Sequence, residues 1–221
     1  MATPEMERYW ARATKIVERH DAQTADTVAA LRARYEAPVF GHVRVWDLLE
    51  RLAQCIDPSD GRLFGASQLV HVLQMLEAML ADGVDDPDLF LAAFVHDLGK
   101  TLLLTDEDPA NIVCMTAPIG THEPGVGLDN VLLQWNHDEF GWSRLRDIVP
   151  EHIAWLVRYH SIDEATCVPL MDDRDRDYYE RYWKPFARYD HEFKSTFQLP
   201  ASRLDDYRDL VEAAFPKPIA F

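Results

Sequence analysis

The sequence predicts an all-α fold. Three observations carry this: apolar residues recur at helical spacing along almost the whole chain, strand-like alternation is nearly absent, and the 9 glycines and 13 prolines fall between the helical patterns. No internal repeat or low-complexity tract interrupts the 221 residues, so one compact domain is expected.

The elements follow in order. Residues 5–34 place Trp10, Ile16, Val17, Val28 and Leu31 among charges, the pattern of one or two amphipathic helices. A further helix over 43–55 is stopped by the turn cluster Asp57-Pro58-Ser59-Asp60-Gly61. Ser67 is placed to cap a helix that reaches Leu80 and ends at Gly83. Asp86 and Pro87 suit the N-cap and first turn of the next helix, which runs through DLFLAAFVHDLGKTLLL. That segment is apolar nearly all round and should be central and buried. Residues 105–130, with three prolines and three glycines, predict a long irregular loop, and loops of that length in compact domains are usually functional. Helical patterns return over 131–147, 150–160, 174–195 and 202–214.

Composition excludes several classes of function. A formal charge of −16 repels phosphate, which argues against nucleic acid and anionic membranes as partners. With 48% hydrophobic residues the chain can bury a core, yet no apolar run is long enough for a spanning helix. The stretch MATPEMERYW lacks the basic-then-apolar order of a secretory signal. Three widely spaced cysteines, Cys55, Cys114 and Cys167, do not suggest a disulfide framework, so a cytoplasmic location is expected.

Nine histidines are the chemical signal. His71, His96, His137 and His160 lie in apolar or aromatic surroundings, whereas His20, His42, His122, His152 and His191 lie among polar residues. An Asp inside a buried helix is costly unless paired or bound to a cation, and Asp97 follows His96 directly. Lys100 shares their side of the helix. By themselves these residues fit either a metal site or a polar cluster that joins helices. Likewise Asp190 and Lys194, one turn apart, fit either a ligand and its partner or a plain helical ion pair.

The wider context narrows the choice. His96-Asp97-Leu98-Gly99-Lys100 after an upstream helical His resembles the HD-domain superfamily, whose members bind one or two metals in an all-α bundle. The segments HVLQMLE, HDLGK, APIG, GLDNVLLQWNHDEFGW, LVRYHS and FARYDHEFKS, in that order, resemble the myo-inositol oxygenase family of non-haem diiron enzymes. The likeness runs from Ala22-Gln23-Thr24 to the helix around 204–216. It implies a single HD-type domain over 1–221, with N-terminal helices to residue 60, a metal-binding core over 61–195 and a C-terminal helix and tail beyond.

It also implies the site. His71, His96, Asp97 and Asp190 would hold one iron, and Asp97 would bridge to a second completed by His137 and His160. Asp57, Lys100, Thr116, Ser161 and Lys194 would contact substrate, with Lys100 also managing a proton in catalysis. For Asp57 a plain turn-forming role ahead of Pro58 stands beside that one. Ligands of N and O without thiolate suit iron, manganese or zinc; the resemblance selects two irons in the mixed-valent Fe(II)/Fe(III) state, with O2 as co-substrate. The implied reaction is four-electron oxidative ring cleavage of a small neutral cyclic polyol, such as myo-inositol, to a uronic acid. A monomer or small homo-oligomer is expected.

Three departures from the family pattern bear on the substrate. Met115 stands where the family has an acid that contacts substrate. The excursion before GLD is cut to residues 121–126. No basic residue near the N-terminus clearly matches the one the family places over the substrate, Arg8 being a weak candidate. Two other readings are an HD-type phosphohydrolase acting on a nucleotide or phosphate ester, and a non-catalytic helical bundle.

Overall fold

The computed structural model describes residues 3–221; Met1 and Ala2, part of the N-terminal stretch considered above, lie outside them. The all-α expectation holds. The first pattern splits into α1 (Pro4–Asp21) and α2 (Ala25–Arg34), because Thr24 adopts an extended conformation and its hydroxyl caps the amide of Thr27. Helix α3 (Val45–Leu52) follows, then α4 (Gln68–Ala81) and α5 (Pro87–Val95). Ser67 occupies the N-cap of α4 without a side-chain cap, whereas the Asp86 carboxylate does cap α5.

Helix α5 packs against α4, against α7 (Glu151–Tyr159) and against α10 (Lys184–Glu192), and is central as expected. Its end is not as expected. The helix stops at Val95, Asp97 takes φ −97° and ψ 5°, and residues Leu98–Leu104 wind as a 3₁₀ helix. The tighter winding re-aims the side chains immediately after the His-Asp pair.

Two further patterns are corrected. Helix α6 runs only over His137–Leu145. The preceding residues are extended because they pair with the long loop: Ile119 N–H donates to the Leu132 carbonyl (2.7 Å) and Gln134 N–H to that of Ala117 (2.9 Å). The pattern over 174–195 is α9 (Asp173–Tyr178), a π-helical turn over Tyr179–Trp183, and α10; between α7 and α9 lies the short α8 (Glu164–Cys167). Pro185 has no N–H to continue the regular ladder, which favours the wider turn before it.

The last pattern is a 3₁₀ turn followed by α11 (Arg208–Ala214). A short antiparallel pair, β1 (His42–Val43) with β2 (Ile219–Ala220), was not expected. It fixes the C-terminal Phe221, fully buried edge-on to Phe140. Among the described residues no helix is long and apolar enough to cross a membrane, and the three cysteines are free.

Candidate metal centre

Four histidines form a row of edge-to-face imidazoles. Ring centroids lie 5.4 Å apart for His71–His96, 5.0 Å for His96–His160 and 5.2 Å for His160–His137. Each comes from a different place: His71 from the first turn of α4, His96 from the C-cap of α5, His137 from the start of α6 and His160 from the C-cap of α7. The fully buried Phe186 of α10 packs edge-on to His96. The row is therefore held in an apolar frame, and it is at most 3% exposed.

Gly99 makes this convergence possible. A Cβ there would lie 2.1 Å from the carbonyl oxygen of His137, so α6 can approach Asp97 closely only beside glycine. Asn136 caps α6 by accepting from Asp138 N–H (2.9 Å), and its amide donates to Cys114 O (2.9 Å) and Thr116 Oγ1 (2.7 Å). The long loop is thereby tied to the ligand-bearing helix.

The orientation of the imidazoles is set by backbone. Nδ1 of His96, His137 and His160 faces the carbonyl of Ala93, Ile112 and Val157, at 3.0, 2.7 and 3.0 Å. A carbonyl can only accept, so Nδ1 carries a proton and, in the neutral ring, Nε2 presents a lone pair. Those lone pairs point at carboxylates. His96 Nε2 is 3.4 Å from Asp97 Oδ2, while His137 and His160 Nε2 lie 3.2 and 3.5 Å from Asp97 Oδ1. At the other end, Asp190 Oδ1 is 2.8 Å from His71 Nε2 and 4.0 Å from His96 Nε2. Nε2 of His96 and His137 and Oδ1 of Asp97 are buried without a hydrogen-bond partner.

Lone pairs facing lone pairs in a buried site are unfavourable unless a cation lies between them. Two ligand atoms each about 2.1 Å from one ion stand roughly 3.0–3.4 Å apart at right-angle to tetrahedral geometry. The separations around Asp97 fall in or near that range. The donor set therefore fits metal ions, with Asp97 offering one oxygen to each of two groups of imidazoles.

Charge reinforces this. Burial disfavours the Asp97 anion, yet Lys100 and the surrounding imidazoles hold its carboxyl well below the usual range. Burial likewise opposes the Asp190 anion and is outweighed by Lys194 and His71. Burial brings His71 down to about 3, which favours its neutral ring. At His160 burial is outweighed by the facing Asp138 and Asp97 carboxylates, which push the imidazole up to about 9, so that without a cation its Nε2 takes a proton as well. The field that draws a proton there draws a cation equally.

The centre opens on a cavity of about 750 Å³. Of the residues expected at the site, Asp57, Lys100, His137, His160, Ser161, Asp190 and Lys194 line it; His71, His96 and Asp97 stand behind it. Lys100 Nζ contacts Asp97 Oδ2 (3.0 Å), Gln68 Oε1 (3.0 Å) and Asp57 Oδ2 (3.6 Å). Burial opposes the Lys100 ammonium, and these carboxylates outweigh it and raise Lys100 above the usual lysine value, which favours a donor role. Lys194 contacts Asp190 (3.0 Å) and Asp60 (3.8 Å), and Asp190 raises it in the same way against burial. Asp57 shapes the turn expected of it and also faces the cavity. Oδ1 accepts from Ser59 N and Oγ (2.8 and 2.7 Å) to shape the turn, while Oδ2 faces Lys100.

Thr116, also expected to contact substrate, is buried beside the cavity-lining Ser161. Its hydroxyl meets Asn136 and Asp138, and it does not line the cavity. The reason is that residue 116 is paired with the residues after His160: Thr116 N–H donates to Ser161 O (2.9 Å) and Asp163 N–H to Thr116 O (2.8 Å). Arg8 is exposed on α1 and away from the cavity; Arg62 lines the cavity instead, donating to the His191 carbonyl. Residues 121–126 do not line it either, Gly125 N–H being bound to Pro169 O. Met115 does line it and is 57% exposed, and Trp10 of α1 lines it too.

Sequence reasoning missed four contributors. His20, grouped with polar surroundings, is fully buried, and its ring nitrogens meet the carbonyls of Ala110 and Met115 (2.9 and 3.0 Å). Gln68 was legible as one turn before His71 on α4. Asn136 was legible as an N-cap residue. Asp138, 1% exposed, carried no signal beyond its place next to His137.

The family model for myo-inositol oxygenase matches residues 12–122 and 107–221. The chain belongs to the myo-inositol oxygenase family. Among curated relatives of that family, the probable inositol oxygenase of Oryza sativa subsp. japonica is 28% identical over 237 residues, covering 89% of this chain and 76% of the relative. Inositol oxygenase 2 of Arabidopsis thaliana is 29% identical over 238 residues, covering 89% and 74%. Inositol oxygenase of Danio rerio is 23% identical over 225 residues, covering 85% and 80%. The family places the chain among the oxidoreductases, and the phosphohydrolase alternative is not favoured.

Proposed function

We propose that this chain is an O2-dependent oxygenase that cleaves a ring C–C bond of myo-inositol or a closely related small cyclic polyol. The reaction consumes one O2 in a four-electron oxidation and releases an open-chain uronic acid and one water. The observation that carries this reading is the row of four imidazoles with Nε2 turned onto buried carboxylates beside an open cavity, in a chain of this family.

His71, His96, Asp97 and Asp190 would hold one iron, and Asp97, His137 and His160 a second, as a mixed-valent Fe(II)/Fe(III) pair. When bound, the ions supply Lewis acidity toward a substrate hydroxyl and the redox capacity for O2. The protein does the rest. Lys100, kept as an ammonium by Asp97 and Asp57, donates a hydrogen bond to the substrate oxygen beside the centre and favours its alkoxide. Lys194 supplies a second positive donor at the Asp190 end. Asp57 Oδ2, free of the turn that engages Oδ1, accepts from a ring hydroxyl. Trp10 and Met115 limit access of water from the exposed side. Three free cysteines suit a reducing, cytoplasmic setting.

The test is anaerobic reconstitution with iron, then EPR and oxygen uptake against a panel of cyclic polyols and sugars, with mass detection of products. A mixed-valent signal and substrate-dependent O2 consumption yielding a uronic acid are expected. No such signal and no polyol-dependent O2 use would overturn the reading.

A further inference from the structure

We infer that the solvent end of the cavity is a second subsite, and that the ring this chain cleaves carries a neutral glycosyl substituent. This rests on the polyol reading above and deepens it by naming the substrate class. Size is the first observation. The cavity holds about 750 Å³. Even at about 30 Å³ per non-hydrogen atom, a water molecule's share of the liquid, the twelve such atoms of a free inositol ring fill at most about half of it. A second ring of similar size brings the ligand up to the space.

The cavity divides by burial. Asp57 and Lys100, assigned to the reacting ring, are at most 5% exposed. Trp10 and Met115 line the same cavity while about half exposed, and Arg62 and Glu164 line it from exposed positions. These four side chains make its solvent end.

Three of them are held by the protein. Trp10 seats the edge of its six-membered ring on Gly61, where a Cβ would overlap Cη2, so α1 meets the turn that carries Asp57 at a contact only glycine allows. The rest of the indole is left as an apolar wall of the kind on which the C–H face of a sugar packs. Arg62 Nη1 donates to the His191 carbonyl, and the guanidinium carries further N–H groups for a ligand. Glu164 Oε2 accepts from the hydroxyl of Tyr179, at the start of the π-helical turn, and Oε1 remains an acceptor.

Charge selects the substituent. Arg62 and Glu164 bring one charge of each sign, so this end calls for neither an anion nor a cation. A donor fork and an acceptor carboxylate beside an apolar wall match the hydroxyls and carbon face of a sugar. Asp60, which also lines the cavity, and the chain charge of −16 oppose a phosphate in that place. Met115 offers a ring hydroxyl no strong acceptor, whereas its side chain can pack on a substituent. The reaction is unchanged: the substituted polyol and one O2 give one water and the open-chain uronic acid, with the glycosyl group kept on a carbon away from the bond that breaks.

The test uses the full-length, iron-loaded chain. Anaerobic calorimetry gives Kd, and oxygen uptake gives kcat/KM, for myo-inositol, for its mono-O-glucosides and mono-O-galactosides at each ring position, and for its monophosphates. The best glycoside is expected to be bound and cleaved roughly tenfold better than myo-inositol, as a hydrogen bond to a charged group would give. Arg62→Ala, Glu164→Ala and Trp10→Ala should each cut that preference by about threefold or more. The preference is a ratio within one variant, so a smaller folded fraction leaves it unmoved.

Myo-inositol handled as well as every glycoside, or better, overturns the subsite and leaves the polyol reading standing. Monophosphates preferred over all glycosides overturn the neutral substituent. A glycoside preference that survives all three substitutions overturns the assignment to these residues. No O2 uptake with any of the compounds overturns the polyol reading and this inference together.

Discussion

The Cα of Gly99 lies where any side chain would collide with the backbone of His137: a Cβ there would stand 2.1 Å from the His137 carbonyl oxygen and 2.8 Å from its carbonyl carbon. The obstacle is backbone, which cannot swing aside as a long side chain can. Gly99→Ala should therefore push α6 away from Asp97 and pull His137 off the shared carboxylate. Overpacking of this kind costs about 1–3 kcal/mol. Thermal denaturation should show that loss, and metal titration should show weakening of the step that involves His137. A variant with wild-type melting and two intact binding steps would contradict the close approach.

Lys100 is the cation that offsets the buried Asp97 carboxylate, and it also contacts Asp57. Lys100→Met leaves those carboxylates facing each other without it, and breaking a buried pair costs about 3–5 kcal/mol. Turnover should fall by roughly 10²-fold or more through loss of a positioned donor. Lys100→Arg should not restore it, because a planar guanidinium does not reproduce a compact ammonium between Gln68, Asp97 and Asp57. Unfolding curves and steady-state kinetics on the two variants check this.

Met115 presents an exposed thioether to the cavity where a polyhydroxylated ring would offer donors. Met115→Asp should lower KM for myo-inositol roughly tenfold, as a charged hydrogen bond of about 1.5 kcal/mol would. kcat should stay within a few-fold, since residue 115 touches none of the ligands. An unchanged KM across the polyol panel would show that residue 115 does not meet a substrate hydroxyl.

Alkaline stability follows from two buried phenols, Tyr35 and Tyr159. Tyr35 donates to Glu107 Oε2 (2.6 Å) and Tyr159 to Asp129 Oδ1 (2.7 Å). Burial first, then these acceptor carboxylates, hold both phenols above their ordinary value, Arg158 opposing the effect at Tyr159. The folded chain thus keeps protons that the unfolded chain loses near pH ~10. The stabilisation is complete below that pH and declines as pH rises above it. Phenolate absorbance from these residues should therefore appear only together with loss of helical circular dichroism. Tyr35→Phe should cost about 1 kcal/mol at neutral pH and flatten the alkaline decline.

Legibility in the sequence was uneven for physical reasons. A helix start with strong local chemistry, the Asp86-Pro87 pair, was readable because the cap is made within a few residues. The end of α5 was not, because the apolar run continues past His96. What breaks it is the approach of α6 to Gly99, a contact between residues far apart in sequence. Likewise 131–136 carries helix-like apolar spacing, yet pairing with residues 117–119 holds it extended.

The six expected ligands converge, although each taken alone was an ordinary core or ion-pairing residue. Asp138 escaped notice because its neighbour His137 already accounted for the motif, and only packing shows which way its carboxylate points.

The sequence by itself determined the all-α class, the family, and the residues that could bind metal, since these depend on periodicity, residue chemistry and order along the chain. The tertiary structure decided which lone pairs meet. Backbone carbonyls set the proton on each Nδ1, Gly99 lets two segments touch, and Ser161 turns one oxygen of Asp138 toward the imidazoles. Two of those contacts, Ile112 O with His137 Nδ1 and Ser161 Oγ with Asp138 Oδ2, join residues 25 and 23 positions apart, and no local pattern encodes them.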